Sequence, residues 1–553
     1  MCSVIPRGRF AWRRIRTFIR PRVRLLRAPE MTIDWDVPVT VRDGTVLRVN
    51  VFRPAGQRPV AVILSAHPYG KDRIPRRTRS GRRLNPQYRL FPQPGMIRIS
   101  DLAGWEAPDP AFWVGHGYAV VNADLRGAGT SAGTGDFFTD SEARDYYDLI
   151  EWAGTQPWST GKVGLHGVSY LAISQYRAAA LRPPHLAAIC PWEGFSDIYR
   201  DFARPGGVRE DGFSIMWSAM TRLTCRVAGN LRKEFVARPE RDAWYADRTP
   251  DLAAIEVPML VCATFSDQSL HSRGSFEAFR RTGSSRKWLY THRDGKWSHF
   301  YSPGAAAEQL RFFDHVLRDE PNGWQDRPAV RIAVHEAGPD PAEIWMTDQW
   351  PPSGLDWQTL YLDAASAGML AEPAGPAQAV FSTSSESVTW TWRVPYDLDV
   401  IGPMAARLRV SVQESDDAHL LAAVRKFRAG REVFFEGSYG YSLDVVSRGW
   451  LRLAHRDLDE DLSQPWQPVG RHDSVRPVRS GEIVEASIAL LPQATRFRAG
   501  DELRLELRGR WLFPRNPLTG QFPAGYQRGP GARVTVHTGG DSPSGLLLGI
   551  RRL

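Results

Sequence analysis

The sequence predicts a doubly wound α/β domain with a helical insertion, followed by an all-β sandwich. At 553 residues the chain is too long for a single hydrophobic core. Short apolar runs alternate with amphipathic helical patterns as far as residue 325, and strand patterns separated by turn residues fill the remainder. Hydrophobic residues make up 42% of the chain and charged residues 24%, a composition typical of a globular protein rather than of a disordered or fibrous one.

The amino-terminal segment, residues 1–30, is strongly basic. Residues 1–28 contain no acidic residue and nine arginines: Arg7, Arg9, Arg13, Arg14, Arg16, Arg20, Arg22, Arg24 and Arg27. The segment lacks the apolar stretch of a secretory signal. We expect either a disordered tail or a start codon placed too early, with Met31 as the real start of translation. A basic amphipathic helix that binds anionic lipid is the alternative. Because the rest of the chain is close to neutral, the net charge of +10 does not indicate nucleic-acid binding.

Cysteine usage and hydropathy narrow the class of protein. The four cysteines are scattered and form no Cys-x-x-Cys pair, so neither a zinc site nor a disulfide framework is predicted: Cys2, Cys190, Cys225 and Cys262. We therefore expect a reducing, cytoplasmic location. No stretch approaches the roughly 18 apolar residues that a membrane span requires, so no stable span is expected. The oligomeric state is left open, with a homo-oligomer as one alternative.

The parallel sheet is predicted from continuous apolar runs. Before them, residues 37–54 alternate around an Asp43-Gly44 turn, which predicts a hairpin. Short runs that are apolar throughout are typical of strands buried on both faces, and they occur at residues 60–65, 118–121, 162–165, 186–190, 258–265 and 287–290. In such a sheet, ligands bind at the carboxyl ends of the strands.

Helices are predicted between these strands. Thr139-x-x-Glu142 resembles a capping box at a helix N-terminus. The residues behind it are apolar at i, i+3, i+4 and i+7 counted from Ala143, which is one stripe of a helix. Residues 305–317 repeat this pattern. Strands and helices that alternate in this way indicate a parallel sheet covered on both faces.

Two changes of pattern set the predicted domain boundaries. Residues 191–250 contain aromatic and helical stretches without strand runs, and we predict a helical cap there. The α/β core then consists of residues 31–190 and 251–325. From residue 326 the pattern becomes short strands with turns between them, so residues 326–553 are predicted to form a β-sandwich of jelly-roll type.

The segment 164–172, GLHGVSYLA, carries the strongest chemical signal. An apolar strand runs directly into Gly167-x-Ser169, and a helix-forming stretch follows. This is the arrangement of a nucleophile elbow, in which a tight turn raises the serine Oγ above the sheet and directs the next backbone N–H at an oxyanion. The usual second glycine is absent: Leu171 stands at that position and the small residue is Ala172. We predict Ser169 as the nucleophile.

A serine hydroxyl needs a base and an orienting acid to become nucleophilic. In sheets of this class these groups follow in the order Ser, acid, His. Asp267 comes directly after one predicted strand and His299 comes after the next, so both fall at strand carboxyl ends. Nearby titratable residues leave alternatives open at this point: His271, His292 and Asp294.

Several short motifs together resemble a known family. In order they are HPYGKD (67–72), DLRGAGTS (124–131), GVSY (167–170), FSD (265–267), WSH (297–299), Gly402-Pro403 and RGWLR (448–452). These motifs resemble the CocE/NonD hydrolases, the cocaine-esterase-like branch of the Xaa-Pro dipeptidyl-peptidase group. The resemblance extends over nearly the whole chain after the basic segment. It departs from the family pattern Gly-x-Ser-Tyr-x-Gly at Ala172.

The resemblance implies both a fold and a set of site residues. The fold is an α/β-hydrolase core, a helical cap and a jelly roll, with the active site where the three meet. The implied triad is Ser169 as nucleophile, Asp267 as acid and His299 as base. The implied oxyanion hole consists of the backbone N–H of Tyr170 and the phenol of Tyr69, which also follows a predicted strand and so belongs to the same sheet edge.

The expected function is therefore that of a serine hydrolase, which cleaves a small-molecule carboxylic ester through an acyl-enzyme without a metal or cofactor. An amide or Xaa-Pro dipeptide substrate on the same triad is the alternative. A dipeptidase requires an acidic group for the substrate's ammonium, and Glu193, Asp197 and Asp201 are candidates. A non-catalytic binding protein is a further alternative, and no nucleic-acid partner is expected.

Overall fold

The computed structural model describes residues 7–553 except residues 80, 441, 442, 515, 517, 519 and 542. The described residues form an α/β domain with a large apolar core and a β domain with an apolar core of its own. The predicted α/β-hydrolase core with an all-β carboxyl-terminal domain is confirmed.

The α/β domain is built on one mixed sheet. The strands of this part of the chain are β1 (Val23–Leu26), β2 (Met31–Thr40), β3 (Val46–Pro54), β4 (Val60–His67), β5 (Arg76–Thr78), β6 (Gly81–Arg83), β7 (Ile97–Ser100), β8 (Ala119–Asp124), β9 (Ser159–Val168), β10 (Leu186–Trp192), β11 (Met259–Thr264), β12 (Lys287–His292), β13 (Val330–Val334) and β14 (Glu343–Thr347). The main sheet has the order β14-β13-β12-β11-β10-β9-β4-β8-β3-β2. Each predicted apolar run lies in one of its parallel strands.

Helices pack against this sheet and also occupy the segment predicted as the cap. They are α1 (Arg7–Ile19), α2 (Gln87–Leu90), α3 (Pro110–Gly115), α4 (Asp140–Gly154), α5 (Tyr170–Ala180), α6 (Phe213–Thr221), α7 (Leu231–Ala237), α8 (Ala243–Ala246), α9 (Ser272–Arg281), α10 (Lys296–Phe300) and α11 (Pro303–Arg318). A π-helical turn (Ile198–Ala203) and 3₁₀ turns (Pro205–Gly207, Leu252–Ala254 and Leu453–His455) complete the set. At the start of α4 the Thr139 hydroxyl accepts a hydrogen bond from the Glu142 N–H, which is half of the predicted capping box.

Helices α6 to α8 lie between β10 and β11, in the segment predicted as the cap. This segment also contacts the β domain, because the backbone N–H of Asp211 donates to the carbonyl of Gly525 over 2.7 Å. The segment predicted as the cap is therefore in contact with the second domain.

The sheet of the β domain is formed by strands from Asp356 onward. Its strands are β15 (Asp356–Asp363), β16 (Gly368–Leu370), β17 (Ala377–Ser382), β18 (Ser387–Arg393), β19 (Leu398–Gln413), β20 (His419–Arg428), β21 (Arg431–Val433), β22 (Ser447–Arg452), β23 (Val484–Phe497), β24 (Glu502–Arg508), β25 (Arg533–Thr538) and β26 (Gly545–Arg552). Residues 330–347 fall inside the predicted β domain, but β13 pairs with β12 in parallel and β14 pairs with β13, so both strands extend the central sheet. An apolar strand pattern does not reveal which sheet the strand will join.

The basic amino-terminal segment is structured over its described residues. Helix α1 packs against the protein through Thr17, which is 3% exposed, and the Arg13 guanidinium pairs with Glu436 at 2.5 Å. Strand β1 then pairs in parallel with β7. The predicted disordered tail is therefore wrong for residues 7–30, while residues 1–6 lie outside the described part. Contacts with a loop of the β domain, distant in sequence, order this segment.

Candidate active site

The turn at Ser169 has the strained geometry of a nucleophile elbow. Ser169 links β9 to α5 with φ 61° and ψ −116°, a backbone conformation that residues with a side chain rarely adopt. Gly167 is required two residues earlier, since a Cβ there would lie 2.5 Å from the Cβ of Leu171. This turn holds the hydroxyl at the carboxyl end of the strand, as the sequence predicts.

Ala172 is accommodated by a second glycine from elsewhere in the chain. A Cβ on Gly194 would come within 2.9 Å of the Ala172 Cβ. The methyl group of Ala172 therefore occupies space that is open because residue 194 has no side chain. This contact explains how the chain tolerates its departure from the family pattern.

The imidazole beside Ser169 belongs to His271. The Ser169 Oγ lies 3.1 Å from His271 Nε2, and His271 Nδ1 is hydrogen-bonded to Asp267 Oδ2. Asp267 comes just after β11, and the His271 N–H donates to the Asp267 carbonyl over 3.1 Å at the entry to α9. This turn brings the side chains of residues i and i+4 together, and both are almost completely buried. Ser169, His271 and Asp267 thus form a continuous hydrogen-bonded chain.

The prediction of His299 as the base is wrong. His299 lies on α10, its Nε2 is 3.0 Å from the Tyr290 hydroxyl, and its ring stacks on that of His292 with centroids 4.0 Å apart. Its other nitrogen faces Asp294 at 3.6 Å. His299 therefore belongs to a polar cluster at the end of β12. It follows Asp267 in the chain, as a triad histidine would, but its ring nitrogens face Tyr290 and Asp294 rather than Ser169.

Lys296, which no motif in the sequence indicated, forms a further ionic contact with Asp267. Its side chain is fully buried, with Nζ 2.7 Å from Asp267 Oδ2 and 3.0 Å from His271 Nδ1. A third buried partner, Glu193, lies 3.9 Å away. The only sequence signal for this lysine was its place in the segment GKWSH, next to the strand end.

The surrounding charges favour the ionised carboxylate of Asp267 and the neutral imidazole of His271. Burial would raise the pKa of Asp267, but Lys296 and His271 hold it well below its usual range. Burial lowers the pKa of His271, and Lys296 lowers it further, while Asp267 raises it. A neutral imidazole beside the serine can accept the hydroxyl proton.

Tyr69 is positioned as a hydrogen-bond donor at the same sheet edge. It follows β4, is 7% exposed, and its Oη accepts a hydrogen bond from Trp217 Nε1 over 3.1 Å. Because the Trp217 N–H can only donate, the phenol proton of Tyr69 remains available for another acceptor. Burial raises the pKa of Tyr69 well above its usual value, so the phenol stays protonated.

Two backbone features complete the candidate oxyanion site. Tyr170 is the first residue of α5, where the amide has no acceptor within the helix and the helix dipole favours negative charge. The loop that bears Tyr69 is held by Asp124, which accepts from the Lys71 N–H over 2.6 Å. The DLRG motif therefore braces this loop.

The site is enclosed by aromatic rings and buried carboxyl groups. Ser169 is only 8% exposed, and the rings around Tyr170 and Tyr69 come from the core and the cap: Phe137, Phe138 and Trp217. Glu106 accepts from Trp297 Nε1 over 3.0 Å, and burial raises the pKa of Glu106 to about 8. The carboxyl group of Glu106 is thus mostly uncharged at neutral pH.

The described residues contain neither a cluster of metal-ligating side chains nor a helix that could span a membrane. No three His, Cys, Asp or Glu side chains within the described ranges are grouped so as to hold a metal ion. None of the helices in that part of the chain has the length and apolar character needed to cross a membrane.

Comparison with known proteins connects this site to a family. Residues 43–235 match the X-Pro dipeptidyl-peptidase (S15 family), and residues 322–547 match the X-Pro dipeptidyl-peptidase C-terminal non-catalytic domain. The cocaine esterase of Rhodococcus sp. (strain MB1 Bresler) is 24% identical over 93% of this chain and 98% of its own length.

Solved structures agree with these matches. An aminopeptidase from the marine sediment archaeon Thaumarchaeota archaeon shares the fold with a TM-score of 0.71 at 17% identity, covering 95% of this chain and 98% of its own. A CocE/NonD family hydrolase from Staphylococcus aureus has a TM-score of 0.88 and 34% identity, and the match covers 95% of this chain and 94% of that one. The chain therefore belongs to the CocE/NonD family of hydrolases.

Proposed function

We propose that this hydrolase cleaves small carboxylic esters, with Ser169 as nucleophile, His271 as general base and Asp267 as the acid that orients the imidazole. The observation that carries the proposal is the 3.1 Å contact between Ser169 Oγ and His271 Nε2, at a serine whose backbone is strained into an elbow. The hydrogen bond from His271 to Asp267 supports the same roles.

The reaction proceeds in two acyl-transfer steps. His271 Nε2 takes the Ser169 proton as Oγ bonds to the ester carbon, and the carbonyl oxygen becomes an oxyanion that accepts hydrogen bonds from the Tyr69 phenol and the Tyr170 N–H. The oxyanion collapses, the C–O bond to the alcohol breaks, and the leaving oxygen takes the proton from His271. Water then attacks the acyl-enzyme while His271 takes its proton, which returns to Ser169 as the acid leaves.

The buried carboxylates near the cap support an ester rather than a dipeptide substrate. Asp197 pairs with Arg200 at 2.8 Å, and Asp201 pairs with Arg273 at 2.6 Å. Glu193 is hydrogen-bonded to His292 at 3.0 Å. Each candidate for holding a substrate ammonium is thus already paired within the protein.

Glu106 does not replace these carboxylates as an ammonium site. Its Oε2 has no hydrogen-bond partner among the described residues, but burial raises the pKa of Glu106 to about 8. A carboxyl group that is mostly protonated at neutral pH attracts a cation only weakly. This weakens the Xaa-Pro dipeptidase alternative further.

The proposal is tested by covalent labelling and by substrate preference. A fluorophosphonate probe should label the wild-type protein and leave Ser169→Ala unlabelled, with Ser174→Ala as the matched control that retains labelling. No labelling of the wild type would favour a binding protein. Short acyl esters should then be cleaved faster than Xaa-Pro chromogenic amides, and a preference for the amides would overturn the choice of substrate.

A further inference from the structure

We propose that Lys296 is a positioning residue of the triad, whose ammonium holds Asp267 in place and keeps the His271 imidazole uncharged down to mildly acidic pH. This inference rests on the function proposed above and deepens it, because it assigns the pH range in which the base operates. It starts from a lysine that is fully buried beside the acid and the base of the triad.

The position of Lys296 is fixed from both domains. Its backbone N–H donates to the carbonyl of Ser438 over 3.1 Å, so a β-domain loop holds the start of α10. The ring centroid of Tyr439, from the same loop, lies 5.0 Å from Nζ. Burial alone would lower the pKa of Lys296, but Asp267 and Glu193 raise it above its usual value, so the side chain stays charged.

The proton inventory decides how Lys296 acts. An ammonium only donates hydrogen bonds, and Nε2 of His271 must carry a lone pair in order to take the serine proton. Nδ1 then carries the ring proton and donates to Asp267. Lys296 donates to Asp267 over 2.7 Å and stands 3.0 Å from Nδ1, where its positive charge opposes a second proton on the ring.

The other charges that face His271 do not cancel the effect of Lys296 on the protonation of the imidazole. Asp267 favours the imidazolium, and the positive N-terminal end of α9, where His271 lies, opposes it. Glu193 also favours the imidazolium, but burial raises its pKa, which reduces its negative charge at acidic pH. Burial likewise raises the pKa of Glu106, which acts on Lys296, to about 8, so this carboxyl group is mostly protonated at acidic pH. Removing the Lys296 charge leaves the Asp267 carboxylate less strongly opposed and so raises the pKa of His271.

The decisive experiment is the pH profile of kcat/KM for ester hydrolysis. In the wild type the acid limb should lie below pH 6.5, since burial and Lys296 lower the pKa of His271. In Lys296→Met and Lys296→Gln the limb should move upward by about one pH unit, the effect of one nearby charge. Lys162→Met removes a surface lysine that pairs with Asp319, and its limb should stay at the wild-type position.

The outcomes separate this inference from the proposed function. Ser169→Ala that retains activity would overturn the proposed function itself. A Ser169-dependent enzyme whose Lys296 variants lose turnover equally at all pH values, with an unmoved limb, would show that the lysine only supports the fold. If neither Lys296 variant folds, as judged by circular dichroism, the wild-type profile still decides, because an acid limb at or above pH 6.5 overturns the inference.

Discussion

Replacing His271 with glutamine is the most direct test of the site. Its ring lies between Ser169 Oγ at 3.1 Å and the Asp267 carboxylate, and no other imidazole is hydrogen-bonded to Ser169 within the described residues. Glutamine keeps much of the volume of the buried side chain but cannot accept and return a proton near neutral pH. The change therefore removes the base while leaving the elbow and the oxyanion donors in place.

The expected loss follows from the role of the base. Proton transfer by a positioned base contributes about 10²–10⁴-fold, and removing the histidine of a triad costs more because the serine is no longer activated. We expect kcat/KM to fall by roughly 10⁴-fold or more, equivalent to about 5.4 kcal/mol of transition-state stabilisation. Hydrolysis of a chromogenic short-chain ester measures this loss.

His299→Gln is the matched control. It removes the contacts with Tyr290 and His292 but no group that reaches Ser169, so we expect less than about a tenfold loss of kcat/KM. Circular dichroism and thermal unfolding will test whether both variants fold. If His299→Gln is inactive while His271→Gln retains turnover, the assignment of the base from this geometry is refuted.

Three further substitutions test the surroundings of the nucleophile. Tyr69→Phe removes one oxyanion donor and should lower kcat by about 100–1000-fold with little change in the unfolding temperature; a wild-type rate would exclude the phenol from the mechanism. Trp217→Phe removes the N–H that donates to Tyr69 and should lower kcat by about 2–10-fold, the value of one hydrogen bond, as steady-state kinetics will measure. Gly194→Ala places a methyl group 2.9 Å from the Ala172 Cβ and should lower the free energy of unfolding by about 1–3 kcal/mol in denaturant titrations. Adding Ala172→Gly to Gly194→Ala should recover part of the lost free energy of unfolding. A double variant no more stable than Gly194→Ala would contradict the packing argument.

The positions of Ser169 and Asp267 at one edge of the sheet were predictable because their signals are local. Ser169 lies between a continuous apolar strand and a helix, and Asp267 directly follows another such strand. Parallel strands bring their carboxyl ends to one edge of the sheet, so strand position alone places both residues there. The sequence did not show which sheet β13 joins, because its apolar pattern is compatible with a strand in either sheet.

The base was harder to identify from the chain alone. Thirteen histidines are present, and both His271 and His299 satisfy the order Ser, acid, His. The position of His299 after the next predicted strand, together with the family resemblance, favoured His299. His271 stands only four residues after Asp267, and the turn between them brings the two side chains within hydrogen-bond distance. The order of residues in the chain does not predict that contact. Lys296 and Trp217 were invisible for the same reason, since each acts through a contact with a residue distant in the chain.

The sequence by itself determined the alternation of strands and helices, the elbow that exposes Ser169, and the strand end that carries Asp267. These properties depend on the spacing of hydrophobic residues, on the positions of glycines and on neighbouring residues, all of which can be read from the sequence. Only the tertiary structure decided that His271 lies beside Ser169 and that Lys296 forms an ion pair with Asp267. It also decided that Trp217 of α6 is hydrogen-bonded to Tyr69. Those choices depend on side-chain direction and on packing between distant segments, where shifts of a few ångströms decide whether a hydrogen bond forms.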